Sequence, residues 1–265
     1  MRRAIGSNWA NRLAFVAKDD LICMQSIKRH QWSARLFLFL SVVVLAALAA
    51  AAATAQEPPT APTPQPDAPA RQTDRTPPPR EAVILSQSQL PDGATNTVIQ
   101  IPAEADAYIA SERPFQNFGS GALYLGYNLA GVDNYGAERI LIRFDVDTYV
   151  PDTAVINEAN LRLRLSFASP VDDSAMGVIV RRLATPWTEN AITWSTEPEW
   201  TDVDSSAGVG SQLDWYMWDV TDVVGNWQNN IYPNNGLELI GDETIQQRER
   251  AFYARETTTD YYPRL

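Results

Sequence analysis

The stretch that most restricts how this chain can fold is residues 158–167, EANLRLRLSF. Ala159, Leu161, Leu163, Leu165 and Phe167 alternate there with Asn160, Arg162, Arg164 and Ser166. A period of two held over this length means a β-strand with one dry face and one wet face. A helix would scatter the leucines around its circumference. The apolar row needs a second layer to cover it, and the strong signals downstream of Gly93 are again short strands. The expected fold is all-β, an antiparallel β-sandwich or jelly roll with one short helix.

The other strands follow from the same pattern. Residues 139–146 (RILIRFDV) put Ile140, Ile142, Phe144 and Val146 on one face and Arg139, Arg143 and Asp145 on the other. Shorter strands are predicted over 97–101, 106–111, 123–127, 178–183, 215–220, 237–240 and 251–254, with a long loop over 184–212. Residues 221–228 read as a short helix, with Thr221 as its N-cap and Asp222 in its first turn. Nine or so short strands separated by turns suit a sandwich. There is no internal repeat and no helix long enough for an α/β fold.

Composition divides the chain into three parts. All ten tyrosines lie at or after Tyr108, and six of the eight tryptophans at or after Trp187. Nine of the eighteen prolines fall within residues 56–80. Residues 1–55 read as a signal-peptide region. Lys28, Arg29 and Arg35 form a basic flank, residues 36–52 an apolar core, and Ala53-Thr54-Ala55 an A-x-A box with cleavage after Ala55. Met24 is the better initiator for such a segment. Left uncleaved, the 20 residues 36–55 are long enough to anchor the chain in a bilayer. Residues 56–95 read as a disordered Pro-rich linker; its proline run, 56–80, reaches at most about 75 Å in the extended polyproline form. Residues 96–265 form the sandwich domain, of a size that buries a real core. The chain stops just past a turn at Tyr262-Pro263-Arg264-Leu265, so either the last strand is very short or the domain is truncated.

Absences narrow the chemistry. The only cysteine is Cys23 and the only histidine is His30, both ahead of the apolar segment. After cleavage the protein would have no thiol nucleophile, no imidazole base, no disulfide and no ordinary zinc or copper ligand set. From Asn96 onward there are 11 arginines, no lysine and 25 Asp plus Glu, a formal charge of −14. Such a domain repels polyphosphate, which argues against nucleic acid as a partner. The same acidity disfavours an anionic glycan unless a cation bridges it or the arginines cluster.

The most distinctive segment is residues 187–194, WTENAITW. Two readings stand. Trp187 and Trp194 plug one end of the sandwich while Glu189 accepts backbone N–H bonds, or they form a platform for sugar rings with Glu189 gripping hydroxyls. Trp200, Trp215 and Trp218 are further platform candidates. Trp215 and Trp218 cannot share a face of one strand, so one of them should be buried. Two well-placed carboxylates are all a glycosidase needs, but acids are too abundant here for that to be a signal, and no catalytic residue is assigned. The clusters Asp145, Asp147, Asp152; Asp172, Asp173; and Glu197, Glu199, Asp202, Asp204 could hold Ca²⁺ through oxygen ligands. No D-x-D-x-D-G loop is present, so no residue set is assigned to it.

The ordered motifs Asp106-Ala107-Tyr108, Phe118-Gly119, Arg139 to Asp145, Ala159 to Leu163, Trp187-Thr188-Glu189 with Ile192-Thr193-Trp194, Asp219-Val220-Thr221 with Trp227, Asn235-Gly236-Leu237, and Phe252 to Glu256 resemble a DNRLRE-type domain. That family is also described as the carbohydrate-binding module of family ninety-six type, related to disaggregatase-like repeats. The resemblance spans about residues 97–265, and W-x-E-x-x-[IV]-T-W is its most specific element. It implies a secreted β-sandwich of the kind appended to surface proteins or polysaccharide-degrading enzymes. Alginate binding is associated with some members; the acidic, lysine-free composition argues against it here. Members usually continue past the P-R-L element into a final strand. The expectation is a non-catalytic extracellular module that binds a polysaccharide, neutral rather than acidic, through exposed aromatics, without membrane insertion once the signal is removed. The rivals are a structural or adhesive surface module with a protein ligand, and a polysaccharide-cleaving enzyme.

Overall fold

The computed structural model describes residues 67–129, 134–171 and 174–265, apart from the side chain of Asp204. The signal-like segment with Cys23 and His30, the first residues of the linker, and Asp172 and Asp173 lie outside the described residues. Everything below concerns the compact unit 63–265.

The fold is all-β. Eleven strands run in chain order: β1 (Val83–Gln89), β2 (Thr95–Gln100), β3 (Ala103–Ala110), β4 (Leu123–Asn128), β5 (Gly136–Phe144), β6 (Asn160–Ser169), β7 (Met176–Leu183), β8 (Trp200–Val209), β9 (Trp215–Asp219), β10 (Leu237–Ile240) and β11 (Arg248–Phe252). Among the described residues two short α-helices interrupt them, α1 (Val146–Tyr149) and α2 (Thr221–Gln228). No helix among the described residues is long and apolar enough to cross a membrane.

β1 and β2 form a separate antiparallel ribbon. The other nine strands make one curled antiparallel sheet in the order β8-β7-β10-β5-β4-β11-β6-β9, with β3 also on β5. β5 is the corner. Its residues Arg139–Ile142 pair with β10, while Gly136–Glu138 pair with β4. That switch folds β3-β5-β10-β7-β8 over β4-β11-β6-β9 and makes the two layers of a sandwich.

The organising strand behaves as its alternation requires. Leu161, Leu163 and Leu165 are 0% exposed and Phe167 is 3%, while Arg162 and Arg164 point outward. They meet Ile140, Ile142 and Phe144 of β5, Leu237 and Leu239 of β10, and Trp218 and Trp227 in the main core. Leu141, on the opposite face of β5, is also fully buried. A second, smaller core covers it there, built from Ala105, Ala107, Ile109, Leu183, Trp187 and Ile192. The loop carrying Trp187 and Ile192 is thus a lid on the outer face of the sheet.

Four local assignments differ from the sequence expectation. The loop expected over 184–212 contains β8, whose residues WTDVDSSAGV show no apolar alternation; its pairing with β7 makes it a strand. Thr221 does not cap α2. It is the first helical residue, and Asp219 Oδ1 accepts both its backbone N–H, at 2.9 Å, and its hydroxyl, at 2.6 Å. Asp145 caps α1 by accepting from the N–H of Thr148 at 3.1 Å. Within the range 56–95, β1 is a strand, and residues 69–72 hydrogen-bond to Asn117, Ala122 and Tyr124.

Candidate functional site: an aromatic and arginine face

The six residues singled out from the sequence do not share one surface. Trp218 is 1% exposed, sits edge-on to Phe252 with ring centres 6.2 Å apart, and donates its indole N–H to the Val178 carbonyl at 3.2 Å. Trp187 is 6% exposed and donates to the Asn235 carbonyl at 2.9 Å. Neither ring offers a face to a sugar. Both are interior because a tryptophan in a core satisfies its one polar atom with a single carbonyl and buries the rest. Trp187 is interior to the small core on the outer face of β5 rather than part of an exposed platform.

Glu189 leaves its own loop. Its Oε1 accepts the backbone N–H of Asp106 on the free edge of β3, at 2.9 Å, and its Oε2 accepts from Arg255 Nη1 at 2.7 Å. Asn117 Nδ2 holds the same loop by donating to the carbonyls of Glu189 and Ile192, each at 2.7 Å.

Trp194 and Trp200 stand over the outer face of the β10–β7–β8 layer. The guanidinium of Arg139 lies 4.5 Å from the Trp194 ring centre, and that of Arg181 lies 3.6 Å from Trp200. Each arginine is also held by acids: Arg139 by Glu197 at 2.5 Å and Glu243 at 2.6 Å, Arg181 by Asp202 at 3.0 Å. Trp200 is 42% exposed, yet one face already carries a cation. On the same outer face Glu238 of β10 is fully buried, with Arg181 Nη1 3.7 Å away. Burial, reinforced by Glu197, pushes its carboxyl up to about 9.

Trp215 lies on the outer face of β9, opposite Arg164 on β6. It meets Tyr261 edge-on at 6.5 Å and 77°, and Tyr261 in turn lies 5.1 Å from Tyr253. Three guanidiniums surround these rings. Arg264 and Arg162 are 4.2 and 5.4 Å from the Trp215 ring centre, and Arg164 is 5.0 Å from Tyr261. Arg164 is paired with Asp214 at 2.6 Å, while Arg162 Nε is buried without a hydrogen-bond partner. Met217 adds a 53% exposed apolar flank. The arrangement combines partly open rings with fixed donors around them, which is what recognition of a sugar ring requires. The alternation on β6 and the Trp215/Trp218 parity signal this face. Tyr253, Tyr261 and Arg264 carry no pattern of their own and join it only through the tertiary fold.

A third feature has no sequence signal. Arg71, upstream of the sandwich, inserts between the rings of Tyr124 and Tyr135, 3.8 and 3.6 Å from their centres. It donates to Glu138 on β5 and Glu249 on β11, which are buried carboxylates. Burial works against the guanidinium's charge, but the two carboxylates outweigh it and hold its pKa above the ordinary value. The backbone follows, with Ala122 N–H donating to the Ala70 carbonyl at 3.0 Å. Gly121, at φ +117°, allows this approach, since a Cβ there would lie 2.8 Å from the Arg71 carbonyl.

Two stacked antiparallel layers with an outward aromatic–arginine face define a β-sandwich domain. The profile of carbohydrate-binding module family 96 matches residues 97–265, and the chain belongs to that family. Among curated proteins no similar chain is found.

Proposed function

We propose that the chain is an exported, non-catalytic module that binds a polysaccharide on the outer face of β6 and β9, centred on Trp215. The carrying observation is the Trp215–Tyr261–Tyr253 row flanked by Arg162, Arg164 and Arg264. Apolar sugar faces stack on the rings, and the guanidiniums donate to hydroxyls or ring substituents. Trp200 and Trp194 form a secondary patch on the other layer. Export rests on the basic flank, apolar core and A-x-A box ahead of residue 56.

Overall acidity repels polyanions at long range, while the three arginines attract carboxylates at contact. Both neutral and uronate polysaccharides therefore belong in the test. Affinity electrophoresis of the full chain against a panel of soluble polysaccharides should retard the wild type, and Trp215→Ala should lose the retardation while keeping its melting temperature. A folded chain that binds no glycan would favour a protein ligand. New reducing ends during incubation would favour an enzyme.

A further inference from the structure

Three segments quoted for the family resemblance, Asp106-Ala107-Tyr108, Trp187-Thr188-Glu189 and the end of Phe252 to Glu256, meet at one point. Asp106 comes from β3, Glu189 from the lid loop and Glu256 from the turn after β11. A carboxylate oxygen from each lies within 4.8 Å of the others. Asp106 is 1% exposed and Glu256 4%, and both keep an oxygen, Asp106 Oδ1 and Glu256 Oε2, with no hydrogen-bond partner. Buried acceptors left unpaired at a site of converging like charge call for a counter-charge.

The counter-charge at hand is insufficient. Arg255 donates its backbone N–H to Asp106 Oδ2 at 2.8 Å and Nη1 to Glu189 Oε2 at 2.7 Å, one cation against three acids. Arg80, the next arginine, is spent on the carbonyls of Arg255, Thr257 and Thr259. We infer that Asp106, Glu189 and Glu256 form a binding site for one hard divalent cation, calcium by preference. The donor set is all oxygen, and carboxylates from three separate segments suit a large ion with irregular coordination better than a small one demanding an octahedron. Glu189, whose side chain is 15% exposed, is the side from which an ion and its waters enter. Such an ion would fasten the free edge of β3, the lid loop carrying Trp187, and the turn after β11 to one another. The competing occupant is a proton: burial and mutual repulsion raise Asp106 well above the usual carboxylate range and Glu256 to about 7.

The full chain, stripped with EDTA and dialysed, is titrated with CaCl₂ by calorimetry and melted with and without it. One ion per chain is expected, with a melting temperature raised on the order of 5–10 °C at a hundred-fold excess over Kd. Asp106→Asn and Glu256→Gln should abolish both effects. Should these variants fail to fold, Glu189→Gln, altering the partly exposed member alone, should weaken calcium binding roughly ten-fold or more. Absence of heat and an unchanged melt in the stripped wild type would overturn the inference, as would an equal calcium response in all the variants. Asp106→Asn melting above a wild type that ignores calcium would put a shared proton in the ion's place. A stronger response to MgCl₂ than to CaCl₂ would overturn the choice of ion.

Discussion

Replacing Arg71 tests how far the folded unit extends upstream of the family-matched residues. Its guanidinium is the counter-ion of two carboxylates, Glu138 with a side chain 0% exposed and Glu249 at 7%. Removing one partner from a buried ionic cluster costs about 3–5 kcal/mol, because the charges left behind are not solvated. Lost stacking on Tyr124 and Tyr135 adds about 1 kcal/mol or more. Protonation limits the total. Burial and the neighbouring Glu249 already hold Glu138 well above its ordinary pKa, so without Arg71, Glu138 takes up a proton more readily. A net loss of about 3 kcal/mol at pH 7 is therefore expected, a fall of roughly 6–12 °C for a domain of this size. The sign with pH is fixed. Glu138 has a folded pKa above its unfolded one, and more so without the arginine, so the variant's deficit grows as pH rises and shrinks toward acid pH. Arg71→Met keeps the apolar stem and removes only the charge. The assay is thermal unfolding of the full chain and both variants, Arg71→Ala and Arg71→Met, at pH 5, 7 and 8. If Arg71→Met melts with the wild type at every pH, Arg71 does not fill that pocket.

Three further outcomes follow from the same structure. Leu163→Asp places an unpaired charge between the layers and should unfold the domain, read as loss of the cooperative melt; a wild-type melt would mean the faces of β6 are reversed. The folded pKa of Glu238, about 9, lies above its unfolded value. Its contribution is therefore fully present below about pH 4.5 and lost as pH rises through about 9, and Glu238→Gln should flatten the fall in stability between pH 6 and 9. Tyr261→Ala should weaken polysaccharide retardation by about ten-fold without the complete loss expected of Trp215→Ala, since it removes the flanking ring and leaves the central one.

The alternation in residues 158–167 and 139–146 was enough to fix the fold class and the inner faces of β6 and β5. Period two places side chains without reference to any neighbour, so it is legible in one dimension. The same parity on β9 required Trp215 and Trp218 to part, and the structure decides which is buried: Trp218 lies over Phe252 and reaches the Val178 carbonyl, contacts between residues far apart in the chain. β8 has no pattern because its partner β7 makes it a strand. Arg71 sits in a proline-rich stretch whose composition gives no hint of a dock, since its two acids and two tyrosines lie on β4, β5 and β11 and in the loop between β4 and β5. The acidic triad likewise draws on residues 106, 189 and 256. Local sequence determines which way a side chain faces along its strand, whereas charge and ring clusters depend on which distant strands close on one another, and only the packed tertiary structure sets that.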